Sequence, residues 1–249
     1  MAVEWSKKVK DCLYEVRTAG ATRRLYTNNV FHSQYNPNNV MQGGIWDLLI
    51  LPAFGYPLNT IQRVLVLGVG GGTVLHQLQR YLKPKNIIGI ELNPLHIFVA
   101  KKYFAVKHRT IQLIEADAIQ WLENYNGEKF DLIIDDLFGH QEGNAERAIK
   151  VNKRWSATLL NNLAADGLLV INFGSNNELK NAALLAYKKM FSQLKSIMRL
   201  TLAQYDNAIG VFSKININTK VMQANFERAA GIKTFSLKKK LEYRKRLFK

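Results

Sequence analysis

The chain has 249 residues, of which 47% are hydrophobic, and this length and apolar share exclude a wholly disordered protein. The single cysteine, Cys12, excludes an internal disulfide and a cysteine-based metal cluster, and it indicates a reducing compartment. The net charge is +16, the first residues lack the apolar stretch of a signal peptide, and no run is long enough to span a membrane, so we expect a cytoplasmic protein.

The first 60 residues predict a small β-extension followed by a helix. Apolar and polar positions alternate over residues 11–35, which predicts two or three short antiparallel strands. Asn38 or Asn39 is expected to cap a helix over residues 45–51. We therefore divide the chain into this N-terminal part, 1–60, a main α/β domain, 61–215, and a basic helical tail, 216–249.

The main domain begins with a strand, a glycine-rich turn and a helix. Residues 64–67 form an apolar run that suits a strand buried on both faces, and a helical pattern begins at residue 74. Between them lie four glycines: Gly68, Gly70, Gly71 and Gly72. Glycines let the chain bend sharply and leave no Cβ between the backbone and a ligand. The N–H groups at the start of the next helix favour an electron-rich ligand group.

Strands and helices then alternate, which is typical of a mainly parallel sheet covered on both faces. Further strands are predicted at residues 87–90, 110–114, 130–134, 168–173, 196–203 and 207–213, with helices over 152–163 and 176–193. Acidic residues follow three of the parallel strands: Glu91, Asp117, Asp135 and Asp136. Ligands bind at this edge of an open parallel sheet, and an acid at the end of the second strand is placed to hold ribose hydroxyls.

The acidic residues after the later strands allow two interpretations each. Asp117 can accept a hydrogen bond from an adenine amino group, with room for a flat ring beside Ala116 and Ala118, or it can cap the following helix, and the two roles can coexist. Asp135 and Asp136 can form a turn or cap. They can also act as a base or anchor a substrate amine beside a cofactor pocket.

The C-terminal residues carry a large share of the positive charge. Residues 233–249 contain eight Lys or Arg against Glu242 alone, and so supply +7 of the net charge. Such a segment is either a nucleic-acid or membrane contact or a solvated amphipathic helix, because apolar residues punctuate the charges. We favour the helix, since no recognisable nucleic-acid module accompanies it.

Taken together, these motifs resemble the class I S-adenosylmethionine-dependent methyltransferases, and more narrowly their spermidine synthase (polyamine aminopropyltransferase) branch, over roughly residues 22–213. The resemblance implies a Rossmann-like seven-stranded sheet that ends in an antiparallel hairpin, and a homodimer formed through the N-terminal part. It implies that Glu91 holds the ribose, Asp117 the adenine amine and Gln34 the nucleoside side. The glycine turn would lie beside the amino-acid moiety.

The chain also departs from the aminopropyltransferase pattern. Gly71 stands where that branch has an aspartate that helps to hold the aminopropyl donor. Of the two acids in the Asp-x-x-Asp-Pro motif, Asp136 is kept and the second is Gly139, and the Tyr-His/Gln-Glu triplet keeps only Gln42. Losing carboxylates removes charge complementarity to a multiply cationic polyamine, and the basic overall charge points the same way.

We therefore expect a transferase that binds S-adenosylmethionine and transfers a methyl group to an unidentified small molecule, without a metal. Asp136 is the first candidate for the group that takes up a proton, Asp135 the second, and His140 a further one. One alternative is a polyamine aminopropyltransferase that uses decarboxylated S-adenosylmethionine. Another is a non-catalytic nucleoside- or RNA-binding protein that uses the tail. A dinucleotide oxidoreductase is disfavoured, because Thr73 stands where the third fingerprint glycine or alanine falls.

Overall fold

The computed structural model describes residues 1–141, 144–230 and 243–247. Its strands are β1 Ala2–Val9, β2 Cys12–Ala19, β3 Thr22–Thr27, β4 Val30–Tyr35, β5 Arg63–Leu67, β6 Asn86–Glu91, β7 Ile111–Glu115, β8 Phe130–Asp135, β9 Phe138–Gln141, β10 Asn144–Arg147, β11 Leu163–Phe173, β12 Ser196–Leu202, β13 Ala208–Ser213 and β14 Tyr243–Leu247. Its α-helices are α1 Ile45–Ile50, α2 Thr73–Gln77, α3 Pro94–Lys102, α4 Ala118–Glu123, α5 Lys153–Asn161, α6 Asn176–Lys180, α7 Ala183–Ala186, α8 Lys188–Phe191 and α9 Thr219–Ala230. A 3-10 helix, Leu51–Gly55, follows α1, and a π-helical turn, Leu78–Leu82, follows α2.

The central sheet has the strand order β14-β12-β13-β11-β8-β5-β6-β7. Strands β11, β8, β5, β6 and β7 run parallel to one another, whereas β13 is antiparallel to both β11 and β12. This confirms the predicted α/β fold, a Rossmann-like methyltransferase sheet with a final antiparallel hairpin. Parallel strands bury both faces, which explains their continuous apolar sequences.

Two apolar layers cover the sheet, and the alternation along β5 shows how they are divided. Val64 and Val66 face the layer that contains α1, α2, α3 and α9. Leu65 and Leu67 face the layer that contains α4 to α8. All four side chains are buried, so the glycine turn that follows β5 starts from a rigid strand.

The eighth strand corrects the prediction of a helical tail. Helix α9 accounts for the first part of the tail, but β14 pairs antiparallel with β12 at the edge of the sheet. The basic residues at 244–246 therefore take part in strand pairing. The predicted helix over residues 231–242 and 248–249 lies outside the described residues.

The N-terminal part forms a separate antiparallel sheet in the order β1-β2-β3-β4. Two or three strands were predicted, and β1 is the additional one. Its residues are almost all exposed, so it lacks the apolar alternation by which a half-buried strand is recognised. The cap of α1 also differs from the prediction: Gly44, and neither Asn38 nor Asn39, is the N-cap residue.

The single helix predicted over residues 176–193 is divided into α6, α7 and α8. Asn181 ends α6 with φ −90° and ψ 3°, and Tyr187 has extended backbone between α7 and α8. Among the described residues, no helix combines the length and the apolar character that crossing a bilayer requires.

Candidate active site

A cavity of about 700 Å³ lies at the carboxyl edge of the central sheet. It is lined by the turns that follow β5, β6, β8 and β11, by β4 and the start of α1, and by the turn between β12 and β13. Ligands of open α/β sheets bind at this edge, so the fold and the sequence point to the same place.

Two of the four glycines in the turn after β5 line the cavity. Gly68 and Gly70 have φ values of +82° and +54°, which favour glycine. A Cβ on Gly68 would overlap the main-chain carbonyl of Asp136, so this glycine lets two loops approach each other. Gly71 and Gly72 are buried behind the turn, where a Cβ would meet Phe104 or Val106. They are structural neighbours of the cavity and not part of its lining.

Glu91 lies at the cavity, as the sequence predicted, but its carboxylate is bound to the glycine turn. Oε2 accepts hydrogen bonds from the N–H groups of Val69, at 3.0 Å, and Gly70, at 2.8 Å. Oε1 accepts one from the N–H of Asn93, at 2.9 Å, and lies 3.5 Å from His96 Nδ1. Burial alone would raise the pKa of Glu91, but the bonds from His96, Asn93 and Gly70 hold this pKa below its ordinary value. Glu91 is therefore an ionised internal acceptor.

The N-terminal sheet completes the turn. Ser33 Oγ on β4 accepts a hydrogen bond from the N–H of Gly71, at 2.7 Å. Thr73 Oγ1 donates to the carbonyl of Gln34, at 2.8 Å, and accepts from its N–H, at 3.0 Å. The sequence predicts that the N–H groups of this turn bind a ligand. In the structure, the N–H groups of residues 69, 70 and 71 donate hydrogen bonds to Glu91 and Ser33. The side chains of Glu91 on β6 and Ser33 on β4 therefore accept the hydrogen bonds that a ligand was expected to accept.

Gln34 binds Thr73 through its backbone, and its side chain does not reach the cavity. The side-chain amide accepts a hydrogen bond from Arg24 Nε and donates one to Gln42. It does not line the cavity. A direct role for Gln34 on the nucleoside stays a prediction, and it requires this side chain to leave its partners.

Asp136 lines the cavity and is suited to accept a proton. Its Oδ1 accepts a hydrogen bond from Asn172 Nδ2, at 2.7 Å, and Asn172 Oδ1 accepts one from Asn207 Nδ2, at 3.0 Å. Burial raises the pKa of Asp136 to about 6, with a further contribution from the charge of Asp135, and the Asn172 bond and Arg147 oppose the rise. A pKa near neutrality matches the requirement for a general base.

Asp135, the second candidate base, is placed differently from what the sequence suggested. It is fully buried and does not line the cavity. Arg147 binds both carboxylate oxygens at 3.0 Å, and Trp155 Nε1 donates to Oδ2 at 2.8 Å. A carboxylate with these partners cannot reach a ligand, so the geometry gives Asp135 a structural role and does not support a catalytic or cofactor-binding one.

Arg147 ties a hairpin to the sheet edge beside Asp136. The guanidinium binds Asp135, Glu178 Oε1 at 3.2 Å and the carbonyl of Asn172 at 2.5 Å, and its side chain is only 3% exposed. Arg147 belongs to β10, and its partner strand β9 supplies Phe138 and Gly139 to the cavity wall. The buried ion pair thus fixes one wall of the site. The side chain of His140, a further candidate base, lies outside the described residues.

Asp117 serves as a helix cap. Its Oδ1 accepts hydrogen bonds from the N–H groups of Ile119, at 2.8 Å, and Gln120, at 2.9 Å. It borders a shallow surface depression beside Trp121 and does not line the main cavity, and Ala118 is buried. The capping interpretation is confirmed, and the adenine contact of Asp117 and Ala118 stays a prediction.

Several residues of the site were not predicted from the sequence. The turn between β12 and β13 contributes Tyr205, the exposed Asp206 and Asn207, and β11 contributes Asn172. Asn172 carried a signal, since it is the polar residue in the apolar run of β11. The residues of the turn carried none, because only the folded antiparallel hairpin brings them to the carboxyl edge.

The charge of the cavity is opposite to that of the whole chain. Three of the described lining residues are acidic: Glu91, Asp136 and Asp206. No Lys or Arg is among the described lining residues. In a chain of net charge +16, the described lining of the cavity is therefore negatively charged.

Comparison with known proteins identifies the same family as the resemblance of the sequence motifs. Residues 49–225 match the model of the spermine/spermidine synthase domain. Polyamine aminopropyltransferase 2 of Caldanaerobacter subterraneus subsp. tengcongensis is 28% identical over 102 residues, which are 40% of this chain and 34% of the relative. The polyamine aminopropyltransferase of Buchnera aphidicola subsp. Acyrthosiphon pisum is 28% identical over 141 residues, 51% of this chain and 48% of the relative. The chain thus spans between a third and a half of the length of these curated relatives.

A probable spermidine synthase from Corynebacterium glutamicum has the same fold. Its crystal structure matches with a TM-score of 0.71 at 15% identity, covering 92% of this chain and 86% of the other. An identity this low supports the fold alone. The family model covers more than half of the chain, and the central sheet has the Rossmann-like fold that the resemblance implied. The chain belongs to the spermine/spermidine synthase domain family.

Proposed function

We propose that the chain is an aminopropyltransferase that binds decarboxylated S-adenosylmethionine and transfers the aminopropyl group to an amine. This reverses the preference drawn from the sequence, which favoured methyl transfer. The observation that carries the proposal is that the described lining of the cavity includes acidic residues but no Lys or Arg to pair with the carboxylate of S-adenosylmethionine.

The glycine turn and the charge of the cavity favour a donor without a carboxylate. Its N–H groups at residues 69, 70 and 71 are bonded to Glu91 and Ser33, and no described Lys or Arg lines the cavity. A ligand carboxylate would lose part of its hydration here without gaining an ionic partner among the described lining residues, which is costly. The charged groups of a decarboxylated donor are an ammonium and a sulfonium. Both are cationic, which suits a cavity lined by carboxylates. The ribose contact of Glu91 remains part of this proposal, through the lone pairs not directed at the turn.

The same charges favour a cationic amine as the acceptor. The carboxylates lost from the family motif at Gly71 and Gly139 suggested that a cationic amine would not bind. Glu91, Asp136 and Asp206 nevertheless give the cavity an excess of negative charge. Local charge governs ligand binding in a cleft more strongly than the net charge of the protein.

The chemistry requires one proton acceptor and an aligned nucleophile. The protonated amine gives a proton to Asp136, and its nitrogen lone pair attacks the carbon of the aminopropyl group that is bonded to sulfur. The carbon–sulfur bond breaks with its electron pair moving to sulfur, which leaves methylthioadenosine as a neutral thioether. Asp136 is half-buried, lines the cavity and has a pKa near 6, so it is ionised at neutral pH and can take up this proton.

Calorimetry with the two donors tests the proposal. Decarboxylated S-adenosylmethionine should bind at least about tenfold more tightly than S-adenosylmethionine. Burying the carboxylate of S-adenosylmethionine without an ionic partner makes the binding free energy less favourable by more than about 1.4 kcal/mol. With putrescine as the acceptor, methylthioadenosine should appear. Asp136→Asn should keep donor binding and lose turnover by roughly a hundredfold or more.

Methyl transfer is the second candidate, and one observation favours it. Gly139 and Gly71 lack the acids that grip the amine groups in aminopropyltransferases, and methyl transfer needs only alignment and one proton acceptor. Tighter binding of S-adenosylmethionine, together with a methylated product, would contradict the first proposal and establish the second.

A further inference from the structure

A strongly basic surface lies at the edge of the central sheet opposite the cavity. Five residues form it, and we call it the amino-edge patch: Arg80, Lys83, Lys85, Lys107 and Arg109. Two of them directly precede β6, two directly precede β7, and Arg80 lies in the π-helical turn after α2. The cavity borders the opposite ends of the parallel strands β5, β6 and β8, so the patch and the cavity face different directions.

Main-chain and side-chain contacts hold the parts of the patch together. The N–H of Ile87 donates to the carbonyl of Thr110 at 2.8 Å, which places the segments before β6 and β7 side by side. Gln79 Nε2 lies 2.6 Å from His108 Nδ1 and 3.1 Å from Thr110 Oγ1, which joins the turn after α2 to the same segment. The segments that carry these cationic side chains therefore lie next to one another, and the strands that they precede are roughly 4.8 Å apart.

The five positive charges of the patch are not neutralised by any ion pair among the described residues. All five side chains are exposed, and none of them forms an ion pair with a carboxylate in the part of the chain that the structure describes. Between residues 78 and 114 the acidic residue is Glu91, which lies at the other edge and binds the glycine turn. Five cations at close range repel one another, and a polyanion that spans them removes this repulsion.

We propose that the amino-edge patch binds the phosphate backbone of a single-stranded nucleic acid. The five groups lie on open surface and not in a pocket, so they match an extended chain of phosphates better than a small anion. A bilayer fits less well, because binding to a membrane surface combines charge with apolar insertion. The exposed large hydrophobic residues of the described part lie outside residues 78–86 and 105–111. This function is separate from group transfer and leaves the cavity open.

Fluorescence anisotropy of the full chain with a labelled, unstructured RNA of roughly 20 nucleotides tests the proposal. The triple variant Lys83→Gln/Lys85→Gln/Lys107→Gln should bind at least about tenfold more weakly at low salt. Its slope of log K against log salt should be smaller by about 2, since each phosphate contact on a single strand contributes about 0.7. The control carries the same charge change on exposed lysines of α6 and α8: Lys180→Gln/Lys188→Gln/Lys189→Gln.

The control should stay within about twofold of the parent chain, and donor binding should be unchanged in both variants. Equal weakening of the two triple variants would show only general electrostatic attraction and would overturn the assignment of the patch. Absence of salt-dependent RNA binding by the parent chain would overturn the proposal itself. So would binding to phosphatidylserine vesicles without binding to RNA. None of these outcomes depends on whether the cavity transfers aminopropyl groups.

Discussion

Replacing Asp136 with asparagine should make the folded protein more stable at pH 8. The pKa of Asp136 is raised from 3.8 to about 6, chiefly by burial. Since the folded state binds the proton more tightly than the unfolded state, ionised Asp136 lowers the free energy of unfolding. This penalty is absent below pH 3.8, grows between pH 3.8 and 6, and is complete above pH 6.

The size of the penalty follows from the gap of about 2 pH units, which corresponds to roughly 3 kcal/mol at about 1.4 kcal/mol per unit. Asp136 is half-buried beside a solvent-accessible cavity, so screening reduces the expected gain to about 2 kcal/mol. Asparagine has nearly the same shape, and its carbonyl can still accept the hydrogen bond from Asn172. The gain therefore isolates the cost of the charge.

Urea unfolding of the two proteins at pH 8 and at pH 4.5 measures this difference. The midpoint for Asp136→Asn should exceed that of the parent at pH 8, and the gap should narrow at pH 4.5. Asp206→Asn is the matched control, because Asp206 lines the same cavity but is exposed, and its effect should stay within about 0.5 kcal/mol. Equal or lower stability of Asp136→Asn at pH 8, or a gain that does not change with pH, would refute the reasoning.

Three further substitutions test the supports of the site. Arg147→Met should lower the free energy of unfolding by about 3–5 kcal/mol in urea, because Asp135 is then buried without its ionic partner, and adding Asp135→Asn should recover part of the loss. Gly68→Ala should lower the melting temperature and weaken donor binding, since φ is +82° and the new Cβ would overlap a carbonyl. Glu91 has a lowered pKa, so its carboxylate stabilises the fold above pH 4.5. Glu91→Gln should therefore be destabilised at pH 7, and the difference should disappear as the pH falls.

The central sheet and the glycine turn were predictable from the sequence because their signals are local. The apolar run of β5 and the acid that ends β6 lie within 30 residues of one another, and parallel-strand geometry determines their relative placement. The exposed β1 and the tail strand β14 were not predictable in the same way. Half of the residues of β1 and most of those of β14 are polar or charged, and their strand structure comes from pairing with β2 and β12.

The candidate site was predictable in position but not in bonding. The sequence places Glu91 and Asp136 at the correct edge, yet it does not show that Glu91 occupies the turn N–H groups, because those bonds depend on a side-chain rotamer. The sequence also suggests that Asp135 and Asp136 both lie beside the cofactor pocket. Neighbouring residues of a strand point to opposite faces, and at the end of β8 this separates the buried Asp135 from the cavity residue Asp136.

The charge distribution explains why the net charge of the sequence and the lining of the cavity favour different acceptors. Net charge adds distant groups with equal weight, whereas a ligand in a cavity responds mainly to charges within about one screening length, roughly 8–10 Å. The basic groups of the amino-edge patch lie across the sheet from the cavity, and the carboxylates line it. The same chain can therefore repel a ligand carboxylate at one edge and attract phosphates at the other. For this reason the donor comparison and the RNA measurement are independent tests of two surfaces.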